Sequence, residues 1–162
     1  MANIFWRDIV VRKVIFQDKN QVNCIRKQVH DLHLQARPDM FNPSSDELME
    51  RFNLLLADND YQGFVCEIDN KVVGWMLTKH ILQPQSAYAP QREYLLIEEF
   101  GVEQQSRRRG VGSQLIEAAK QYANSLGLKR IQLDVWAFNG VAEEFYKAVG
   151  FDTYRKFLEI IL

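Results

Sequence analysis

The run Arg107-Arg108-Arg109-Gly110-Val111-Gly112-Ser113 constrains this chain more than any other feature. It follows a strand-like stretch, Glu93-Tyr94-Leu95-Leu96-Ile97-Glu98-Glu99-Phe100-Gly101-Val102. It precedes a segment from Ser113 to Leu126 whose apolar residues recur at helical spacing. A strand, a glycine-bearing turn and a helix N-terminus bring free N–H groups and the positive end of the helix dipole to one point. Glycine suits that point because a side chain would hold an anion's oxygens away from the backbone. The segment is expected to bind a ligand that carries phosphate.

Spacing narrows the ligand. A P-loop needs a longer interval between its glycines and a Lys-Ser/Thr pair, which Gly112-Ser113 does not supply. The dinucleotide fingerprint needs a third glycine, and Leu115 stands where it would fall. What remains is Arg-x-x-Gly-x-Gly. Downstream, Arg130-Ile131-Gln132-Leu133-Asp134-Val135 alternates like a strand. Asn139-Gly140 follows, and then a helical segment ending Glu144-Phe145-Tyr146-Lys147-Ala148-Val149-Gly150-Phe151. Taken together over residues 93–154, this order resembles the C-terminal, cofactor-binding half of the GNAT N-acetyltransferases.

Bulk properties fit one soluble enzyme-sized domain. The chain has 162 residues, 47% apolar and 25% charged, and a net charge of −1. That charge gives no global pull toward nucleic acid or an anionic membrane. No apolar run approaches the roughly 18 residues of a membrane span. Met1-Ala2-Asn3-Ile4-Phe5-Trp6-Arg7-Asp8 lacks the layout of a signal peptide. Cys24 sits in a helical pattern and Cys66 in a strand pattern, and both read as buried reduced thiols. A cytoplasmic location is the natural expectation.

The rest of the chain reads as alternating elements. Ile9 to Val14 is a first strand. Asp18 offers an N-cap to a helix whose face carries Val22, Ile25, Val29, Leu32 and Ala36, stopped at Arg37-Pro38. Ser44 and Glu47 stand at capping-box spacing before a second helix carrying Leu48, Met49, Phe52, Leu55 and Leu56. Residues 63–68 and 72–78 flank a tight turn and form a hairpin. Residues 83–92, with Pro84 and Pro90, form a loop, and Thr153 to Leu162 reads as a last strand. The order β-α-α-β-β-β-α-β-α-β is that of a single-domain GNAT fold, a mixed, mostly antiparallel sheet flanked by helices over residues 1–162. The apolar end at Ile160-Ile161-Leu162 suggests packing against the sheet or a partner subunit and permits a homodimer.

The resemblance implies acetyl-CoA as acetyl donor and a primary amine as acceptor. The N–H groups of Arg108, Arg109, Gly110, Val111, Gly112 and Ser113 would hold the pyrophosphate. The guanidinium groups of Arg107 and Arg109 are candidates for the phosphates, including the 3′-phosphate of the adenosine. A solvated basic run is the other reading of these arginines; no aromatic or further basic cluster makes them a nucleic-acid patch. In this family a bulge splays the strand before the turn, and the pantetheine arm hydrogen-bonds to that strand. Here the bulge is expected near Glu99-Phe100-Gly101-Val102, with the N–H of Phe100 or a neighbour aimed at the thioester oxygen. A plain strand glycine would look the same.

Ile97-Glu98-Glu99-Phe100-Gly101-Val102 is similar to the Leu-Glu-Asp-Phe-x-Val run of the diamine (polyamine) acetyltransferase branch. Glu98 is expected as the base that deprotonates the amine and Glu99 as an amine-binding charge. Alternation puts them on opposite faces unless a bulge turns both toward one cleft; a solvent-facing and a salt-bridged carboxylate is the other reading. Resemblance to Phe-Tyr-x-x-x-Gly-Phe places the Tyr146 hydroxyl beside the CoA sulfur, as the acid for the departing thiolate; otherwise Tyr146 is a core tyrosine. Asn139 matches the asparagine that contacts pantetheine and can also cap the next helix. Gly150-Phe151 reads as a C-cap and a core anchor.

His30 and His33 stand three apart, but nothing completes a metal site. In many small-molecule GNATs the loop between the first two helices roofs the acceptor site. That makes His33, Phe41 and Asp39 pocket candidates, against a polar helix face and a hydrophobic staple. Trp75 reads as core, and Trp136 as a lining of the acceptor channel. The expected activity is acetyl transfer by direct attack in a ternary complex, since no cysteine sits at the predicted centre. The acidic pair favours a small cationic acceptor. A protein N-terminus or lysine, or a CoA-binding sensor or assembly protein without catalysis, are the alternatives.

Overall fold

Both faces of the sheet are apolar, so the chain must cover each with helix, and it does so with two helix pairs drawn from different parts of the sequence. The computed structural model describes residues 9–162, the Leu48 side chain excepted. The signal-peptide expectation for residues 1–8 and the core position expected of Leu48 therefore lie outside the described residues. Strand β1 (Ile9–Lys13) leads through a short 3-10 turn into α1 (Lys19–Ala36) and α2 (Asp46–Ala57). Then come β2 (Tyr61–Ile68), β3 (Lys71–Gln83), β4 (Arg92–Val102), α3 (Val111–Ser125), β5 (Ile131–Leu133) and α4 (Gly140–Ala148).

The five strands lie in the order β1-β2-β3-β4-β5. All neighbours are antiparallel except β4 and β5, which are parallel and joined through α3. Asp69 and Asn70 close the β2–β3 hairpin with φ of 51° and 61°. Two left-handed residues match the twist of the flanking strands, and Asp and Asn tolerate them well. One apolar cluster joins Met76, Leu95 and Ile97 to Leu115, Ile116 and Ala119 of α3. The other joins Val65, Trp75 and Leu77 to Val22 and Ile25 of α1 and Phe52 and Leu55 of α2. No helix among the described residues is long and apolar enough to cross a membrane.

Several local expectations change. Asp18 precedes α1 but does not cap it. Its carboxylate accepts from the Ile15 amide at 2.8 Å and from Arg12 at 2.8 and 2.9 Å. Burial pushes that carboxyl upward, yet the Arg12 and Ile15 hydrogen bonds outweigh it and hold the pKa below the usual range. At α2, Met49 donates to the carbonyl of Ser45, so the helix begins one residue later than the Ser44 capping box implies. Cys66 is buried, its thiol pushed up to about 11, first by desolvation. Cys24 is exposed instead. Two residues past Val22 turns it about 200° away from the buried face. Leu32, expected on the buried face of α1, is also exposed.

The expected last strand does not form. Residues 152–162 make no backbone hydrogen bond among the described residues, and β5, the nearest available edge, is only three residues long. A strand exists only through a partner ladder. The segment meets the rest of the chain through polar side chains: Arg37 pairs with Glu159 at 2.7 Å, and Arg92 donates to the Tyr154 hydroxyl at 3.1 Å.

Candidate active site

The site begins where β4 and β5 part company. Their parallel pairing ends at Ile97 opposite Leu133, while β4 continues to Val102. From Glu98 onward, β4 therefore has no strand neighbour on its β5 side. The ladder to β3 is irregular at the same place: Leu77 pairs with Glu99 and Thr78 with Ile97, leaving Glu98 as the extra residue of a bulge. The bulge falls one residue before the span 99–102 expected from sequence. Gly101 has another reason to be glycine. A Cβ there would lie 2.8 Å from Ile25 and 2.9 Å from Val29, so the position lets α1 approach the strand.

The inserted residue resets strand alternation. Ile97 belongs to the α3-side cluster, and Glu99 would follow it on that face in a regular strand. Instead Glu99 accepts from Arg26 of α1 at 2.8 and 3.0 Å and from the Trp75 indole at 2.8 Å. Glu98 is exposed and accepts from the Tyr61 hydroxyl at 3.3 Å. Tyr61 packs on the α1-side cluster, so both acids turn toward the same face. Phe100 returns to the α3 side, where its ring stacks on Phe145 at 5.8 Å and meets Tyr146 at 5.9 Å.

After β4 a 3-10 turn, Gln104–Ser106, and the arginine run lead into α3. Arg108 and Gly110 are left-handed, at φ 61° and 85°, and Gly110 serves as the N-cap. No side chain caps the helix and no acid stands in its first turn. Gln114 donates back to Gly110, so the N–H groups of Val111, Gly112 and Ser113 precede the first intrahelical bond. Arg107, Arg108 and Arg109 are exposed, and Arg107 Nε also donates to the Val102 carbonyl at 3.2 Å. The result is a concentrated positive field at an uncapped helix end. Gly112 owes its identity to packing: a Cβ there would lie 2.9 Å from the Phe145 ring.

Helix α4 closes the α3 side. Asn139 Oδ1 accepts from the Ala142 amide at 3.2 Å, the N-cap arrangement. Gly150 sits at φ 102°, donates to Lys147, and is followed by Phe151 donating to Tyr146, a Schellman end. Phe151 packs on the core and on the Tyr146 ring at 5.8 Å. Tyr146 is held among Phe100, Phe145 and Phe151. Desolvation pushes its phenol up to about 12.

On the opposite face, past the end of β5, four rings converge. His33 lies 5.2 Å from Phe41, 6.4 Å from Trp136 and 5.8 Å from Phe138. Trp136 and Phe138 stack at 5.9 Å. Asp39 is paired with Arg37 at 2.7 Å, and His30 Nε2 lies 2.7 Å from the Asn42 carbonyl. Trp75 is core, 1% exposed.

Sequence reading passed over three contributors. Arg26 is buried on the apolar side of α1; a charge beside Ile25 was the signal that a buried acid must face it. Glu103 accepts from Lys71 at 2.6 Å and from the buried Ser106 at 3.2 Å, which fixes the turn before the arginines. Phe138, two residues past Trp136, completes the ring cluster.

The acetyltransferase (GNAT) family matches residues 26–151, and the chain belongs to that family. Over 101 residues it is 34% identical to an uncharacterized N-acetyltransferase, MJ1207, of Methanocaldococcus jannaschii, a match covering 62% of this chain and 43% of that one. The chain spans about half the length of the curated relatives it matches. Among solved structures it resembles a tetramutant of the BH1408 protein of Bacillus halodurans, with a TM-score of 0.89, 25% identity and coverage of 94% of this chain and 99% of that one. The aminoglycoside N-acetyltransferase AAC(6')-Iy, in complex with CoA, shares the fold at a TM-score of 0.76 and 17% identity, over 95% of this chain and 94% of that one.

Proposed function

We propose that this protein transfers an acetyl group from acetyl-CoA to the primary amine of a small cationic molecule. One observation carries the reading. The uncapped, arginine-flanked start of α3 and the unpaired edge of β4 beyond Ile97 are contiguous, and the Tyr146 phenol stands among the aromatic rings beside them. These features fit a diphosphate joined to an extended amide-bearing arm: N–H groups for the anion, strand edge for the arm, phenol for the sulfur. Asn139 stands at the start of α4 on the same side and is assigned to the arm.

In this reading the acceptor ammonium gives a proton to Glu98, directly or through water. The neutral nitrogen then attacks the thioester carbon, and the carbonyl π pair moves to oxygen, where an N–H of β4 at Phe100 receives it. The pair returns, the C–S bond breaks, and the thiolate takes the Tyr146 proton. The nitrogen's extra proton passes to solvent, from which the Tyr146 phenolate regains its own, and Glu98 releases its proton to solvent before the next turnover. Tyr146 holds its proton at neutral pH, since burial pushes the phenol up to about 12. Glu98 is the freer of the two acids, since Glu99 shares its charge with Arg26 and is assigned to holding the bulge.

The test is release of free thiol from acetyl-CoA in the presence of a panel of primary amines. Turnover above background for at least one amine, lowered about a hundredfold in Tyr146→Phe, is the expected result. CoA binding without turnover for any acceptor would replace this reading with that of a non-catalytic CoA-binding protein. Self-association is part of the proposal: Phe157, Leu158, Ile160 and Ile161 are 79–91% exposed, an apolar run suited to a second copy, and sedimentation velocity reads it directly.

A further inference from the structure

We propose that His33, Phe41, Trp136 and Phe138 form an aromatic acceptor subsite, and that the amine this protein takes carries an aryl group on a short alkyl chain. The inference rests on the transferase reading and names the substrate class for the same site.

Three separated segments supply the rings: the last turns of α1, the connection from α1 to α2, and the residues after β5. His33 belongs to α1, the helix whose Arg26 holds Glu99, whereas Tyr146, on α4, packs with Phe100 and Phe145. Beyond Ile97 and Leu133 the two strands β4 and β5 are no longer paired, and we take that parting as the route between the two sides. A donor laid along β4 from the α3 side would therefore present its carbonyl to an acceptor arriving over the rings.

The chemistry of that wall is specific. Its polar borders are already engaged: Asp39 with Arg37, and His30 with the Asn42 carbonyl. A polyhydroxylated amino sugar would find few hydrogen-bond partners on it, and a linear polyamine would find no free row of carboxylates. What it presents is ring surface. Phe138 is 41% exposed although it stacks on Trp136 and meets His33 edge-on, so the cluster has an open side rather than a closed core. An aryl group can extend the stack there, and the adjoining ammonium can pass over the Trp136 face toward Glu98. Burial, and then the nearby His30, hold the His33 pKa below its ordinary value, so this ring is neutral at pH 7 and does not repel the incoming cation.

The experiment compares 2-phenylethylamine and tryptamine with n-butylamine, 1,4-diaminobutane and an aminoglycoside. Equilibrium binding to the CoA-saturated full chain and thiol release from acetyl-CoA are measured for each. The aryl amines are expected to bind at least tenfold more tightly than n-butylamine, about 1.4 kcal/mol, and to show the same advantage in kcat/KM. Phe138→Ala and Trp136→Ala should reduce the aryl-to-alkyl ratio about tenfold, while Trp136→Phe retains most of it. Phe138→Leu, which keeps apolar bulk without a ring, guards against a folding defect and should also lose the preference. Equal binding of aryl and alkyl amines, or a ratio unmoved in the ring variants, overturns the subsite. Preferential aryl binding with no thiol release for any amine upholds the subsite and instead overturns the transferase reading.

Discussion

Glu99 accepts hydrogen bonds from Arg26 Nε at 2.8 Å and Nη2 at 3.0 Å, so the acid that follows the β4 bulge is clamped from helix α1. The Arg26 side chain is 5% exposed and that of Glu99 27%. Removing the cation leaves a half-buried carboxylate with the Trp75 indole as its remaining partner among the described residues. Arg26→Met is expected to lower stability by about 2–3 kcal/mol, and adding Glu99→Gln to recover more than half of that. Urea midpoints of the single and double variants check the coupling.

The Phe145 ring leaves no room for a side chain at Gly112. Helix propensity alone would favour alanine there. A Cβ 2.9 Å from the ring reverses the sign. Gly112→Ala should lose about 1–2 kcal/mol, and Phe145→Leu should make the same substitution nearly neutral. Thermal melts of the four-member cycle decide it.

Tyr146 gives the protein an alkaline limit. Below about pH 10, the ordinary phenol value, the group is neutral in both folded and unfolded chains and its contribution is constant. Between there and its folded value of about 12, only the unfolded chain ionises. Stability therefore falls as pH rises through that window, by up to about 2–3 kcal/mol. In Tyr146→Phe the slope should shrink, as read from urea unfolding at stepped alkaline pH.

His33 acts at the other end. Its folded pKa lies below the ordinary value because of burial and then the neighbouring His30. Above about pH 6.5 both states are neutral and the stability is intact; as pH falls through that value the unfolded chain protonates first and stability declines. His33→Phe, which keeps a ring against Phe41 and Trp136, should flatten the loss between about pH 7 and pH 5.

In the proposed reading, the exposed arginines before α3 carry a separable part of donor binding. Arg107→Ala and Arg109→Ala are each expected to weaken CoA about tenfold at low salt, with a smaller effect at high salt. Isothermal titration with CoA and with its form lacking the 3′-phosphate reports which arginine serves that group: that variant loses little for the truncated ligand.

Local chemistry on short segments was readable without any coordinates. Asp69-Asn70 announces its turn, and Asn139 and Gly150 bracket α4, because caps and left-handed positions depend on neighbours within a turn or two; α3, expected from Ser113, opens two residues earlier at Val111. The strand–turn–helix order of residues 93–154, and with it the family, was legible for the same reason.

What the linear chain left open depends on contacts between distant segments. Parity could not say which way Glu98 and Glu99 face; a single inserted residue in the β3–β4 ladder decides it, and Arg26, 73 positions away, clamps the outcome. The apolar tail, expected as a last strand, lacks the ladder partner that would make it one. His33, Phe41 and Trp136 were pocket candidates by resemblance, but Phe138 was not, and only the tertiary structure brings the four rings together. Periodicity and capping are encoded locally, whereas the face a carboxylate presents and the company a ring keeps are properties of packing between elements that sequence order holds far apart.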